Sequence, residues 1–159
     1  MSKKFVKIDV TRRDVLAGGT AALFGLAGLM SASGVAKADA AATQALIDKI
    51  TGGTAPQEGR VMLEMPQIAE NGNTVPMSVS VESPMTDSDH VKSVHIFAEG
   101  NPTPDVASFH FTPMSGVAEV STRMRMAKTQ DIVAVAEMSD GSVFMDRVQV
   151  KVTIGGCGG

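Results

Sequence analysis

Several segments between residues 60 and 154 have apolar residues at every second position. Successive side chains of a β-strand point to opposite faces, so this period of two indicates strands with one face in a core and the other in solvent. The alternation is clearest in residues 77–82, 118–126 and 148–154, and shorter segments fit the same period. Seven strands are therefore predicted, at 60–65, 77–82, 91–98, 106–112, 118–126, 132–139 and 148–154.

Turn signals separate these strands. Asn71-Gly72 and Asp140-Gly141 suit the positive φ angles of tight hairpin turns, and residues 101–104 (Asn-Pro-Thr-Pro) form a stiff connector. A short helix is predicted at Thr43–Ile50, ended by the glycines at 52–53. About seven short strands at this spacing favour an all-β, immunoglobulin-like antiparallel sandwich over residues 41–154.

The first forty residues have the pattern of a cleaved export signal. A basic segment is followed by the uncharged, moderately apolar residues 15–36 and by small-x-small sites that predict cleavage near residues 38–40. A membrane anchor is the alternative, disfavoured by four glycines within residues 18–28. Arg12 and Arg13 within residues 11–16 resemble a twin-arginine signal, with Val15 where Phe is usual. Because that bacterial route carries folded proteins, the mature chain is expected in the periplasm.

The charge of residues 41–159 argues against a nucleic-acid partner. This part of the chain has eight basic and fourteen acidic side chains, whereas a phosphate-binding protein is expected to have a basic balance or a basic stripe. It has no apolar stretch long enough to span a membrane. It also has no Gly-x-Ser-x-Gly, His-Glu-x-x-His or phosphate-loop motif, so a conventional enzyme is not predicted.

A copper-binding sandwich is an alternative function. His95 and His110 lie in predicted strands and could face each other, and imidazole and thioether groups suit copper. A blue-copper site, however, needs a His and a Met soon after its Cys, and only two glycines follow Cys157. The methionines fall mostly at inward strand positions, where they are expected to fill the core. No metal-binding residue is therefore assigned.

The C-terminal sequence Gly155-Gly156-Cys157-Gly158-Gly159 contains the only cysteine of the chain. One cysteine excludes an internal disulfide framework and a multi-cysteine zinc site. Four glycines give the backbone great conformational freedom, so a flexible arm is predicted at 155–159. Five extended residues reach roughly 16 Å, enough to insert a thiol into a narrow channel of another protein. Since thiolates form S–S bonds readily, the expected cargo is bound through sulfur.

This tail resembles the C-terminus of the SoxY family, the sulfur carriers of the bacterial thiosulfate-oxidising Sox system. Three further segments resemble the family, residues 66–76, 122–127 and 133–141, as does the twin-arginine leader. The resemblance covers essentially the whole chain.

The resemblance implies a carrier rather than an enzyme, with no cofactor beyond the covalent sulfur intermediates on Cys157. It implies a heterodimer with SoxZ, which lacks its own signal and is exported with SoxY. Cys157 would accept thiosulfate through oxidative coupling by the SoxAX cytochrome, and SoxB would then release sulfate by hydrolysis. Where a SoxCD sulfane dehydrogenase is present, it would oxidise the remaining sulfur before SoxB acts again. No membrane contact is expected after signal cleavage.

Overall fold

The computed structural model describes residues 35–156, with side chains described from Ala40 onward. Arg12, Arg13, Cys157, Gly158 and Gly159 lie outside the described residues. The described part contains one helix, α1 (Val35–Ile50), a 3-10 turn at Pro113–Ser115 and nine strands. The strands are β1 (Gln57–Glu58), β2 (Val61–Glu64), β3 (Ile68–Asn71), β4 (Val75–Val81), β5 (Val91–Ala98), β6 (Asp105–His110), β7 (Ala118–Met124), β8 (Gln130–Met138) and β9 (Val143–Ile154).

Two sheets form the predicted sandwich. The larger sheet has the order β1-β9-β8-β5-β6, with β3 also paired to β9, and the smaller sheet has the order β2-β4-β7. The main core lies between them and includes Val79, Ile96 and Ile132, each at most 1% exposed. The inward positions predicted for β4 are confirmed, because Met77, Val79 and Val81 are buried.

Two short strands break the expected antiparallel arrangement. β1 and β3 both run parallel to β9, β1 beside its first residues and β3 beside its last. They contain two and four residues, too few for an alternating pattern to be recognised in the sequence. All other strand pairs are antiparallel.

Helix α1 covers the outer face of the larger sheet. Ile47 is 1% exposed and packs with Phe97, Val133, Val135 and Val143. β8 is therefore covered on both faces, which explains why residues 132–136 are all buried and do not alternate. Within the described residues, no helix has the length and apolar character needed to cross a membrane.

Helix α1 begins at Val35, so the predicted start at Thr43 is wrong, because the helix begins about two turns earlier. Five of the residues at 36–42 are alanine, the strongest helix former. The sequence interpretation assigned these residues to the signal, and its predicted cleavage region at 38–40 falls within α1.

One of the two predicted hairpin turns is confirmed. Asp140-Gly141 joins the antiparallel strands β8 and β9, and Gly141 has a φ of 86°. Asn71-Gly72 is not a hairpin turn, because β3 and β4 belong to different sheets. Gly72 is instead buried where the chain passes between the sheets. The absence of a side chain there allows other backbone segments to approach closely.

Methionines fill much of the core, as predicted. Met85, Met124, Met126 and Met138 are buried together with Met77. The flexible thioether side chain can fill irregular core space, and this chain has few aromatic residues to do so.

Candidate functional site at the base of the cysteine tail

The described chain ends one residue before Cys157, at a point held by backbone hydrogen bonds. The amide of Gly156 donates to the carbonyl of Met126 at 2.8 Å, and the amide of Met126 donates to the carbonyl of Gly72 at 2.8 Å. The amide of Gly72 in turn donates to the carbonyl of Ile154 at 2.7 Å. We call Gly72, Met126, Ala127, Gly155 and Gly156 the tail base.

Close backbone contacts explain why glycine occupies three positions of the tail base. A Cβ atom on Gly155 would lie 2.2 Å from the carbonyl oxygen of Ala127, and one on Gly156 would lie 2.7 Å from the carbonyl oxygen of Gly72. A Cβ atom on Gly72 would lie 2.2 Å from the carbonyl oxygen of Met126. Each distance is far below a van der Waals contact and involves backbone rather than a flexible side chain. A larger residue at any of the three positions would therefore push apart the backbone at Gly72, at residues 126–127 and at residues 155–156.

These contacts revise the predicted function of the first two arm glycines. The sequence interpretation placed Gly155 and Gly156 in a flexible arm with Gly158 and Gly159. In the structure Gly156 is buried and both residues pack against neighbouring backbone. Gly155 and Gly156 therefore belong to the packed part of the chain, and residues 157–159 lie outside the described residues.

A buried amide network supports the other side of the tail base. The Asn101 side chain, 6% exposed, donates to the carbonyl of Arg125 at 2.9 Å and accepts from the amide of Ala127 at 3.0 Å. Gln130 donates to the same Asn101 oxygen at 2.8 Å and accepts from the amide of Gly100 at 2.6 Å. Residues 125–127 are thus hydrogen-bonded on both sides. Nothing in the local sequence around Asn101 indicated this function.

The two strand histidines do face each other, as predicted. The rings of His95 and His110 lie edge to face with their centroids 6.3 Å apart. Both nitrogens of His95 are in hydrogen bonds, Nδ1 with Ser108 at 2.8 Å and Nε2 with Ser93 at 3.1 Å. Among residues 35–156, no group of three or more His, Cys, Asp or Glu side chains could hold a metal ion.

Partial burial makes His95 a source of pH dependence. Burial lowers the pKa of His95 from its ordinary value of 6.5, against the opposing effect of the nearby Glu137 carboxylate. The unfolded chain therefore binds more protons, and the free energy of unfolding falls as the pH drops below 6.5.

We expect His95→Gln to weaken this pH dependence, because glutamine does not titrate. The measurement is urea unfolding of the two proteins between pH 7.5 and 5. The difference is expected to be small, since the ring is about half buried. His90→Gln, in a loop away from this histidine pair, is the control. Equal loss of stability on acidification in wild type and His95→Gln would contradict the assignment.

Comparison with known proteins agrees with this geometry. The family described as "Sulfur oxidation protein SoxY" matches residues 47–157, which include the tail base and Cys157. The sulfur carrier protein SoxY from Chlorobium limicola f thiosulfatophilum is 36% identical, with a TM-score of 0.62, and the match covers 72% of this chain and 99% of that one. A search of curated protein sequences gives no significant match.

More distant matches show the fold alone. A superoxide reductase (neelaredoxin) variant from Ignicoccus hospitalis has a TM-score of 0.54 at 17% identity, covering 60% of this chain and 82% of that one. A hypothetical protein from Pyrococcus horikoshii has a TM-score of 0.51 at 19% identity, covering 65% and 98%. At these identities, the sandwich architecture is shared.

The structure brings the family-like segments together. Gly72 comes from segment 66–76, and Met126 and Ala127 come from segment 122–127, yet these segments are about fifty residues apart in sequence. They meet at the glycines that precede Cys157. With the match over residues 47–157 and the 36% identity to a solved sulfur carrier, this chain belongs to the SoxY family.

Proposed function

We propose that this chain is a periplasmic sulfur carrier that binds thiosulfate-derived intermediates covalently on Cys157 and presents them to the Sox enzymes. The observation that carries the proposal is that the family match ends on the only cysteine of the chain, directly after the tail base. A thiol that follows a held backbone position and precedes two glycines has a fixed origin and few steric demands of its own.

The proposed loading step is an oxidation. The Cys157 thiolate and thiosulfate form one S–S bond, which gives the S-thiosulfonate Cys–S–S–SO₃⁻ and releases two electrons. A cytochrome of the SoxAX type accepts those electrons. The next step is a hydrolysis in which water cleaves the bond between the sulfane sulfur and the sulfone group, releasing sulfate and two protons and leaving the persulfide Cys–S–S⁻. In this scheme the chain is the covalent tether, and the partner enzymes perform the catalysis.

The charge near the tail base suits an anionic cargo. Arg125 directly precedes Met126, and Arg123 lies two residues earlier on the edge strand β7. Both arginines are exposed, and this pair lies in a mature chain that is acidic as a whole. Positively charged side chains attract an anionic cargo, and salt screens this attraction at the surface.

Peptide mapping of the native protein tests the proposal. The protein is isolated from cells grown on thiosulfate, remaining thiols are alkylated, and the C-terminal peptide is weighed by mass spectrometry. The proposal predicts sulfur or thiosulfonate adducts on Cys157, and adducts that vanish in cells grown without reduced sulfur. A C-terminal peptide recovered only in the alkylated form under both conditions would refute it.

Export is proposed to depend on the twin arginines. We expect Arg12→Lys together with Arg13→Lys to retain the precursor in the cytoplasm, because the paired guanidinium groups form the recognised address. Cell fractionation and immunoblotting measure this. The single Lys4→Arg variant is the control, since it exchanges one basic residue for another in the same segment but outside the pair. Mature protein in the periplasm of the double variant would exclude the twin-arginine route.

A heterodimer with a SoxZ-type partner is proposed as the working form. Strand β7 ends the smaller sheet and β6 ends the larger sheet, so their outer backbone groups can pair with another chain. We expect the mature protein to co-elute with the partner and, without it, to form disulfide-linked homodimers through Cys157. Size-exclusion chromatography with and without reductant measures both. A stable monomer that ignores added partner at micromolar concentration is the contradicting result.

A further inference from the structure

The backbone of residues 125–127 is hydrogen-bonded on two opposite sides. On one side, the Asn101 side chain binds the carbonyl of Arg125 and the amide of Ala127. On the other side, the amide and carbonyl of Met126 bind Gly72 and Gly156. This is the pattern of a strand, in which alternate residues direct their polar groups to opposite sides. The single Asn101 side chain thus takes the place of a neighbouring strand.

This arrangement connects a buried side chain to the carrier cysteine. Asn101 fixes residues 125–127, Met126 holds the Gly156 amide, and Cys157 is the next residue, one step of about 3.8 Å along the backbone. From this connection we infer that Asn101 is a positioning residue for Cys157, which sets the point from which the thiol is presented to the partner enzymes. The inference rests on the proposed carrier function.

The burial of Asn101 supports a specific function for its amide. A polar side chain that is 6% exposed is costly to bury unless its polar atoms are hydrogen-bonded, and Asn101 makes three hydrogen bonds through its two polar atoms. Its oxygen also binds Gln130, which holds the turn at Gly100, where a Cβ would lie 2.9 Å from the Gln130 Cβ. The network therefore joins the connector after β5 to the start of β8. An apolar residue at 101 would leave the Arg125 carbonyl and the Ala127 amide without these partners.

The test uses the mature protein with its partner subunit and the variant Asn101→Ala. Hydrogen–deuterium exchange is measured at the Gly156 amide and, as an internal reference, at the Lys151 amide, which donates to the Gln67 carbonyl. We expect exchange at Gly156 to rise roughly tenfold or more while exchange at Lys151 stays close to wild type. Val94→Ala, a buried residue of β5 outside the network, controls for general loss of stability.

The functional readout separates positioning from thiol chemistry. Asn101→Ala should leave the rate of Cys157 alkylation by iodoacetamide unchanged but slow the release of sulfate from thiosulfate-loaded protein by SoxB. If Asn101→Ala does not fold, Asn101→Asp is the second variant, because it keeps the acceptor for Ala127 and removes the donor to Arg125. Asn101→Asp is also expected to raise exchange at Gly156 and to slow sulfate release.

Two results would overturn the inference while the proposed function stands. One is that wild type loads on Cys157 and Gly156 exchange is unchanged in the Asn101 variant. The other is that Val94→Ala raises Gly156 exchange and slows sulfate release as much as Asn101→Ala does. If wild type itself never loads, the proposed function has failed.

Discussion

The Cys157→Ser variant is expected to have no thiosulfate-dependent turnover in the reconstituted Sox system. A hydroxyl cannot form the S–S bond by which the cargo is proposed to be held, and the chain has no other cysteine to take its place. The fold should be unchanged, because the described core contacts end at Gly156. Oxygen consumption or cytochrome reduction with thiosulfate is the measurement.

Gly158→Ala is the matched control for this experiment. It changes the residue beside the cysteine and keeps the thiol, so it should retain most of the activity. Circular dichroism and co-elution with the partner subunit verify that both variants are folded. Turnover in Cys157→Ser comparable to wild type would show that the sulfur is not carried on this residue.

The second large effect is expected from valine at both Gly155 and Gly156. We expect turnover to fall by orders of magnitude while small reagents still alkylate Cys157. Cβ atoms at these positions would lie 2.2 Å and 2.7 Å from backbone oxygens of Ala127 and Gly72. Residues 155–156 would therefore have to move away from these two backbone segments. Valine also widens the segment and restricts its torsions.

A second double variant, Gly158→Val with Gly159→Val, distinguishes the two causes. It widens the end of the arm without touching the tail base. If the arm must enter a narrow channel, both double variants should lose turnover. If the tail base alone matters, only the variant at 155–156 should. Activity near wild type in both would exclude channel entry and remove the functional importance of the tail base.

The strand pattern was predictable because strands such as β4 have one face in the core and the other towards solvent, which produces an alternating sequence. β4 and β5 alternate or run apolar over seven and eight residues, enough for the period to be recognised. β1 and β3 were missed because they are held by β9, a strand distant in sequence, and contain only two and four residues. The early start of α1 was missed because alanines suit both a helix and a cleavage site.

The tail base was only partly readable from the sequence. The glycines at 155 and 156 were recognised as important, but their isolated pattern indicated flexibility. Their close contacts depend on Gly72 and Ala127, which are brought to them by the passage of the chain between two sheets. Asn101 was likewise interpreted only as part of a stiff connector. Its hydrogen bonds to residues 125–127 could not be predicted, because these residues are more than twenty positions away in the sequence.

Thiosulfate labelled separately on its two sulfur atoms gives the most direct test of the carrier function. The mature protein and its partner are incubated with the labelled thiosulfate and a SoxAX-type cytochrome, which accepts the electrons of the loading step. The protein is then separated from free thiosulfate and treated with SoxB. Both labels are expected to appear first on the C-terminal peptide with Cys157. The sulfone label then leaves as sulfate, one per cysteine, while the sulfane label stays on the peptide as a persulfide. Label that never binds the peptide, or both labels leaving together as thiosulfate, would contradict covalent carriage on Cys157.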